Sequence, residues 1–302
     1  MVKGAPPAKD RLKRLRQREG LYFVLPALIY MLMMVGYPII YNIVLSFQNV
    51  TSKNVNGVHD WVGFSNYLKI FAAENFRAAL SNTIRFTLIS ISFQFIFGLA
   101  LALFLNKRFP CAKFIRGLLV VSYLLPNVVS ALLWKYMLSP DAGIIDKVLI
   151  ALGILQKPVG WLQNIDTALW GPIFANIWTQ TPLIMLLLNT GLSNIPADTL
   201  ECSQLDGANA VQRFFYIILP LLKNSILAVM MVGFMYTFKV FDLIFTMTGG
   251  GPVYATEVLS TYSYKLSFNN FKFSQGAAAA NVLFLCLFIV SFIYRHFLNK
   301  EE

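Results

Sequence analysis

Residues 78–105 read AALSNTIRFTLISISFQFIFGLALALFL and contain one charged side chain, Arg85. A helix needs about 20 consecutive apolar residues to cross the hydrocarbon core of a bilayer, and this stretch exceeds that length. Five further stretches are similarly long, rich in Leu, Ile, Phe and Val, and nearly free of charge. The predicted spans are residues 21–47, 78–105, 115–138, 168–191, 222–246 and 274–296.

The composition of all 302 residues supports the same interpretation. Apolar residues make up 57% of the chain and charged residues 13%, whereas soluble domains average about 45–50% and about 25%. A soluble fold would have too few polar side chains to cover its surface. Apolar segments of this length satisfy their backbone hydrogen bonds as helices and not as the short alternating strands of a barrel. We therefore predict an all-α integral membrane protein with six transmembrane helices, in which residues 21–296 form the membrane domain.

The distribution of basic residues predicts how the chain is oriented. The net charge of +11 would in a soluble protein suggest a nucleic-acid partner, but seven Lys and Arg residues lie within the first 18 positions, directly before an apolar span. Basic residues accumulate on the cytoplasmic side. The arm, the loops on its side and the tail together hold 15 Lys and Arg residues, against seven in the opposite loops. We expect a basic cytoplasmic arm at residues 1–20, a cytoplasmic tail at residues 297–302, contact with lipid, and no nucleic-acid partner.

The segment between the fourth and fifth predicted spans, residues 195–220, is unusual because Pro196 and Pro220 bracket it. Pro196 can begin a helix, and Gly207 permits a turn that a Cβ would hinder. The apolar spacing that follows fits a second short helix, which Pro220 ends. The pattern predicts a helix-turn-helix outside the bilayer. It carries more apolar side chains than so small an element buries, which predicts a docking surface: Leu205, Phe214, Phe215 and Ile218.

A family resemblance rests on this loop. The string ECSQLDGA at residues 201–208, followed by Phe214, Ile217 and Leu219-Pro220, resembles the EAA loop of ABC-importer permeases, whose pattern is E-A-A, three residues, G, nine residues, I-x-L-P. The spacing fits at every fixed position, and two small residues replace the two alanines. The resemblance implies that the loop sits in a cleft on a cytoplasmic ATPase. The docking residues that it implies are Glu201, Cys202, Ser203, Asp206, Gly207, Ala208, Phe214, Ile217, Leu219 and Pro220.

Two later strings are similar to the carbohydrate-uptake permeases of the maltose and glycerol-3-phosphate type. They are the outward loop TGGGP at residues 248–252 with Thr256-Glu257, and Gly276-Ala277-Ala278-Ala279 in the sixth span. The resemblance implies a permease of the bacterial inner membrane that pairs with a second homologous permease and receives its solute from an external binding protein. Two separate ATPase subunits would drive transport and bind ATP and Mg, so no cofactor and no enzymatic activity are expected on this chain. The sequence contains no G-x-x-x-x-G-K-[ST] phosphate-binding loop.

Polar side chains inside the spans predict a solute path. Lys239 and Asp242 are three residues apart in the fifth span and are expected on one helical face, and Asn176 and Gln180 share a face of the fourth span. Such groups contact a polar solute, or they pair with each other and hold helices together; both interpretations stay open. The predicted path consists of Asn176, Trp178, Gln180, Tyr236, Lys239 and Asp242.

An ion-gradient secondary transporter of a small polar solute is the alternative function. That class favours internal repeats and carboxylates near the middle of the membrane. Asp242 is the one acidic residue within a predicted span, which favours the ATP-driven importer.

Overall fold

The computed structural model describes residues 22–107 and 110–298. Over these ranges the chain is helical and contains no β-strand, apart from an isolated bridge between Gln48 and Trp61. The prediction of an all-α fold is confirmed. The predicted arm at residues 1–20 and the last four residues of the predicted tail lie outside the described residues.

The helices of the described residues follow the predicted spans, with additional short helices between them. In chain order they are α1 Tyr22–Ser46, α2 Ser65–Ala72, α3 Glu74–Asn106, α4 Ala112–Leu124, α5 Asn127–Met137, α6 Ile144–Ala151, α7 Trp170–Ser193, α8 Ala197–Leu205, α9 Ala210–Leu221, α10 Lys223–Phe238, α11 Asp242–Met247, α12 Leu259–Tyr264 and α13 Phe273–Leu298. A π-helical segment, Lys265–Asn269, follows α12 directly.

Among the described residues, four helices are each long and apolar enough to cross a bilayer alone: α1, α3, α7 and α13. The helices α4 and α5 meet at an angle of 95°, and α9 and α10 at 69°. The first bend lies at Leu125-Pro126, because a residue before proline favours extended backbone and Leu125 has ψ 138°. Counting each bent pair as one broken span gives up to six spans, so the six-span count stays a prediction.

The predicted fifth span, residues 222–246, is not one helix. The helix α10 ends at Phe238, and α11 begins at Asp242. Val240 packs against two core clusters, and its carbonyl accepts a hydrogen bond from Ser260 Oγ at 2.5 Å. Tertiary contacts therefore replace helical ones at this point. The expectation that Lys239 and Asp242 share one helical face is wrong, because the break between them removes the regular rotation per residue.

The core of the molecule lies where α3 runs along α7. These helices approach closely at Gly98, where a Cβ would lie 2.7 Å from Ile184 Cγ2. In contrast, α1 buries none of its most apolar window. It meets α13 near its end, where Asn42 Nδ2 donates to Asn281 Oδ1 at 2.7 Å. The closely packed contact between α3 and α7 therefore forms the centre of the fold, and the candidate site lies beside it.

Candidate functional site

A polar cavity of about 170 Å³ lies where α7 faces the breaks in two neighbouring spans. The bend between α4 and α5 places Asn127 in its wall, and the break between α10 and α11 places Lys239 and Asp242 there. Non-helical backbone at membrane depth is tolerated where it lines a cavity or is buried in protein. The cavity is lined by Asn127, Asn176, Gln180, Tyr236, Lys239, Val240, Phe241, Asp242 and Leu243.

Five of the six side chains predicted for the solute path line this one cavity. The exception is Trp178, which lies two residues from Asn176 and is therefore rotated by about 200° around α7. Trp178 lines a separate apolar groove of about 450 Å³ together with Phe93 and Trp134. The centroids of the two tryptophan rings are 6.3 Å apart. Trp178 therefore does not share a cavity with the other five side chains of the predicted solute path.

Lys239 and Asp242 of the cavity do not form a direct ion pair with each other. Lys239 Nζ lies 5.3 Å from the centroid of the Tyr236 ring, a distance at which a cation interacts favourably with an aromatic face. Among the described residues, no ion pair joins Lys239 to Asp242. Both charges therefore belong to the wall of the cavity.

Two further polar side chains, which the predicted solute path does not include, belong to this site. Asn127 lines the cavity, and its position directly after Pro126, at the start of α5, is the sequence signal that could have found it. Gln94 of α3 is fully buried behind the wall and donates from Nε2 to Asn176 Oδ1 at 2.6 Å. No local pattern pairs residues that are 82 positions apart.

The segment 195–220 forms two short helices joined by a turn, as its sequence predicts. Gly207 lies in this turn with φ +79°, a backbone conformation that favours glycine. Asn209 then caps α9: its side chain accepts from the backbone N–H of Gln212, and its own N–H donates to Gln212 Oε1, both at 2.9 Å. These reciprocal bonds satisfy the free donors at the start of a helix.

The predicted docking residues share this loop but not one surface. Ser203 is buried, and its Oγ donates to the carbonyl of Leu200. The exposed members are Glu201, Cys202, Asp206, Gly207 and Pro220, and the half-buried members are Ala208, Phe214, Ile217 and Leu219.

The apolar side chains of the loop divide into two groups. Phe214 and Ile218 pack against the core cluster formed by α3, α7 and α10. A second group is largely exposed: Leu205 is 88% exposed, Tyr216 79% and Phe215 56%. The loop is therefore attached to the body of the molecule through Phe214 and Ile218, while Leu205, Phe215 and Tyr216 remain exposed.

An ion pair and hydrogen bonds from buried side chains stabilise the loop that contains the TGGGP string. Glu257 is 1% exposed, and its Oε1 lies 3.1 Å from Lys265 Nζ. Gly250 has φ +88°, and a Cβ there would lie 2.8 Å from the same ammonium nitrogen. Asn82 Nδ2 donates to the carbonyls of Tyr254 and Glu257 at 2.9 and 3.1 Å. The sequence analysis identified this motif but did not predict the ion pair between Glu257 and Lys265.

Similarity to solved structures extends over nearly the whole fold. A chain of a bacterial ABC transporter involved in the import of the acidic polysaccharide alginate superposes with a TM-score of 0.82 and 22% identity, covering 96% of this chain and 99% of that one. A second structure, of a bacterial alginate ABC transporter in complex with an alginate pentasaccharide-bound periplasmic protein, gives 0.79 and 22%, covering 94% and 95%. At this identity the likeness shows the fold.

Sequence comparison identifies the family. The chain is 30% identical over 287 residues to the trehalose/maltose transport system permease protein MalF of Thermococcus litoralis, covering 94% of this chain and 95% of the relative. Residues 94–301 match the family described as binding-protein-dependent transport system inner membrane component. The chain therefore belongs to this family, as an integral membrane permease subunit of an ABC importer that is not itself an enzyme.

Proposed function

We propose that this permease, together with a second homologous permease, forms the pathway through which an ABC importer carries a carbohydrate. The polar cavity is the observation that carries the proposal. Its amides and charged groups suit the hydroxyl groups of a sugar, and the Tyr236 ring offers an apolar face. The sugar class is supported by the relative named for trehalose and maltose and by the alginate transporters.

The size of the cavity supports a second permease. Pockets for small molecules commonly measure about 300–1,000 Å³, whereas this one measures about 170 Å³. One chain therefore supplies part of a site, and a related chain facing it would supply the rest. Binding where discontinuous helices meet is the usual arrangement in membrane transporters.

We further propose that two ATPase subunits, which bind ATP and Mg, dock on the loop at residues 195–220. The exposed Leu205 and Tyr216 offer the contact surface. Phe214 and Ile218 connect the loop to α3 and α7, and a bend of 69° joins α9 to α10. A displacement of the loop would therefore move several spans together.

The proposed topology places the loop and both chain termini in the cytoplasm and the TGGGP loop outside, in the inner membrane of a bacterial cell. An external solute-binding protein would deliver the solute there. The family description names a binding protein and the inner membrane, and the alginate transporter structure includes a periplasmic protein. Family membership favours this reading over the ion-gradient alternative.

The docking proposal is tested with a pair of glycine variants. Gly207 and Gly153 have φ +79° and +73°, and neither has an atom within 4 Å of an added Cβ. Gly207→Val and Gly153→Val therefore carry a similar backbone penalty of about 1–2 kcal/mol. Only Gly207 lies on the proposed docking loop, so we expect Gly207→Val alone to uncouple ATP hydrolysis from uptake.

The measurement is uptake and solute-stimulated ATPase activity of the co-purified complex in lipid. Maltose, trehalose and alginate oligosaccharides would be supplied with the solute-binding protein of the system. Equal losses in both variants would contradict docking at this loop. A wild-type chain that co-purifies with no ATPase would contradict the proposed assembly, and an assembled complex that none of these sugars stimulates would contradict the sugar assignment.

A further inference from the structure

We propose that Gln94 is a positioning residue for solute recognition. It orients the Asn176 amide so that the N–H groups of this amide, and not its oxygen, face the polar cavity. Gln94 is fully buried on α3 and is not part of the cavity wall. The inference rests on the proposed function of the cavity as part of the solute path.

The orientation follows from a backbone carbonyl. One atom of the Gln94 amide lies 3.4 Å from the Asn176 backbone oxygen and 2.6 Å from an atom of the Asn176 side chain. A carbonyl oxygen only accepts hydrogen bonds, so the Gln94 atom that faces it is the amino nitrogen. The same nitrogen donates to the Asn176 side chain, whose acceptor is Oδ1. The Asn176 Nδ2 therefore points away from Gln94.

The consequence for the cavity is a fixed donor. Asn176 lines the cavity, and its Nδ2 donates to no group among the described residues. Lys239 Nζ adds a second donor to the wall. Together they suit an acceptor oxygen of the solute, whether it belongs to a hydroxyl group or to a ring or glycosidic ether. A reversed amide would instead present an acceptor and select for hydroxyl groups.

The test uses Gln94→Met, which removes the amide and keeps an unbranched side chain of similar volume. Without Gln94 the Asn176 amide loses its fixed orientation. We expect KM for uptake to rise about threefold to tenfold, the range of one hydrogen bond. The maximal rate should change little, because the interaction contributes to binding throughout transport. Asn176→Ala should have a similar effect, and the double variant should be no worse than Asn176→Ala alone.

A matched control is available on the same helix. Ser90 lies about one turn before Gln94, is fully buried, and its Oγ has no hydrogen-bond partner. Ser90→Ala also removes a buried polar group from α3, but it should leave KM unchanged. The measurements use the assembled transporter in lipid with maltose, trehalose and alginate oligosaccharides.

Two results would overturn the proposal. One is a Gln94→Met variant with a lowered melting temperature and an unchanged KM, which would make the residue merely structural. The other is a double variant whose KM effect is the product of the two single effects. If the wild-type transporter carries none of these sugars, the sugar assignment fails separately.

The melting temperatures of the same single and double variants can be measured without any solute. Non-additive shifts in melting temperature support the Gln94–Asn176 contact, and additive shifts overturn the proposal.

Discussion

Glu257 is a carboxylate that folding removes from water. Burial raises its pKa above its ordinary value of 4.5, while the Lys265 ammonium nearby acts in the opposite direction. A group whose pKa is raised by folding binds its proton more tightly in the folded state. Its contribution to stability is therefore complete below pH 4.5 and is lost as the pH rises through the pKa of the folded state.

At the residue scale, we predict that Glu257→Gln weakens the fall in melting temperature between pH 4.5 and neutral pH, because the variant has no carboxylate to ionise. Thermal unfolding in detergent across this pH range measures the slope. Asp60→Asn is the control, since Asp60 is an exposed carboxylate and its replacement should keep the wild-type slope. A Glu257→Gln slope equal to that of the wild type would contradict the prediction.

At the scale of elements, α3 and α7 pack closely because Gly98 has no side chain to separate them. A Cβ at Gly98 would lie 2.7 Å from Ile184 Cγ2 and 3.2 Å from the backbone nitrogen of Met185. The backbone atom cannot rotate away, so the helices must separate. We predict that Gly98→Ala lowers the free energy of unfolding by about 1–3 kcal/mol, the usual cost of overpacking.

The matched variant for this prediction is Gly117→Ala in α4. Gly117 is also helical, and its added Cβ would meet nothing within 4 Å. It should gain the helix propensity of alanine, about 1 kcal/mol, without any clash. Melting temperatures of the two purified variants test the difference, and an equal shift in both would show that the contact at Gly98 is not tight.

At the scale of the whole molecule, the number of membrane crossings depends on the bent pair α4 and α5. If the pair is one broken span, Cys111 before it and Asp141 after it lie on opposite sides of the membrane. If the pair is re-entrant, they lie on the same side. Both residues are exposed, so a membrane-impermeant maleimide can report on each of them.

We predict that Cys111 and an introduced Asp141→Cys are labelled from opposite faces in vesicles of known orientation. Cys202, on the proposed docking loop, is exposed as well and should label from the same face as Cys111. Each thiol is tested with the other cysteines replaced by serine. Labelling of positions 111 and 141 from one face would contradict the six-span topology.

The sequence by itself determined the helical class, the apolar spans and the loop at residues 195–220. The spans predicted at residues 78–105 and 274–296 correspond to Glu74–Asn106 and Phe273–Leu298. These features depend on local properties, namely the length of an apolar run, its charge, and the conformational preferences of proline and glycine. The same local signals placed Gly207 in the turn between α8 and α9.

Only the tertiary structure decided how the polar cavity is built. The break after Phe238, the bond from Gln94 to Asn176, and the burial of Glu257 beside Lys265 all depend on neighbours from other helices. The side chains of α3 and α7 meet because Gly98 of α3 allows the two helices to approach closely. The break in the fifth span exposes Lys239 and Asp242 because Val240 between them packs against the core. Such contacts join residues far apart along the chain, so no local pattern encodes them.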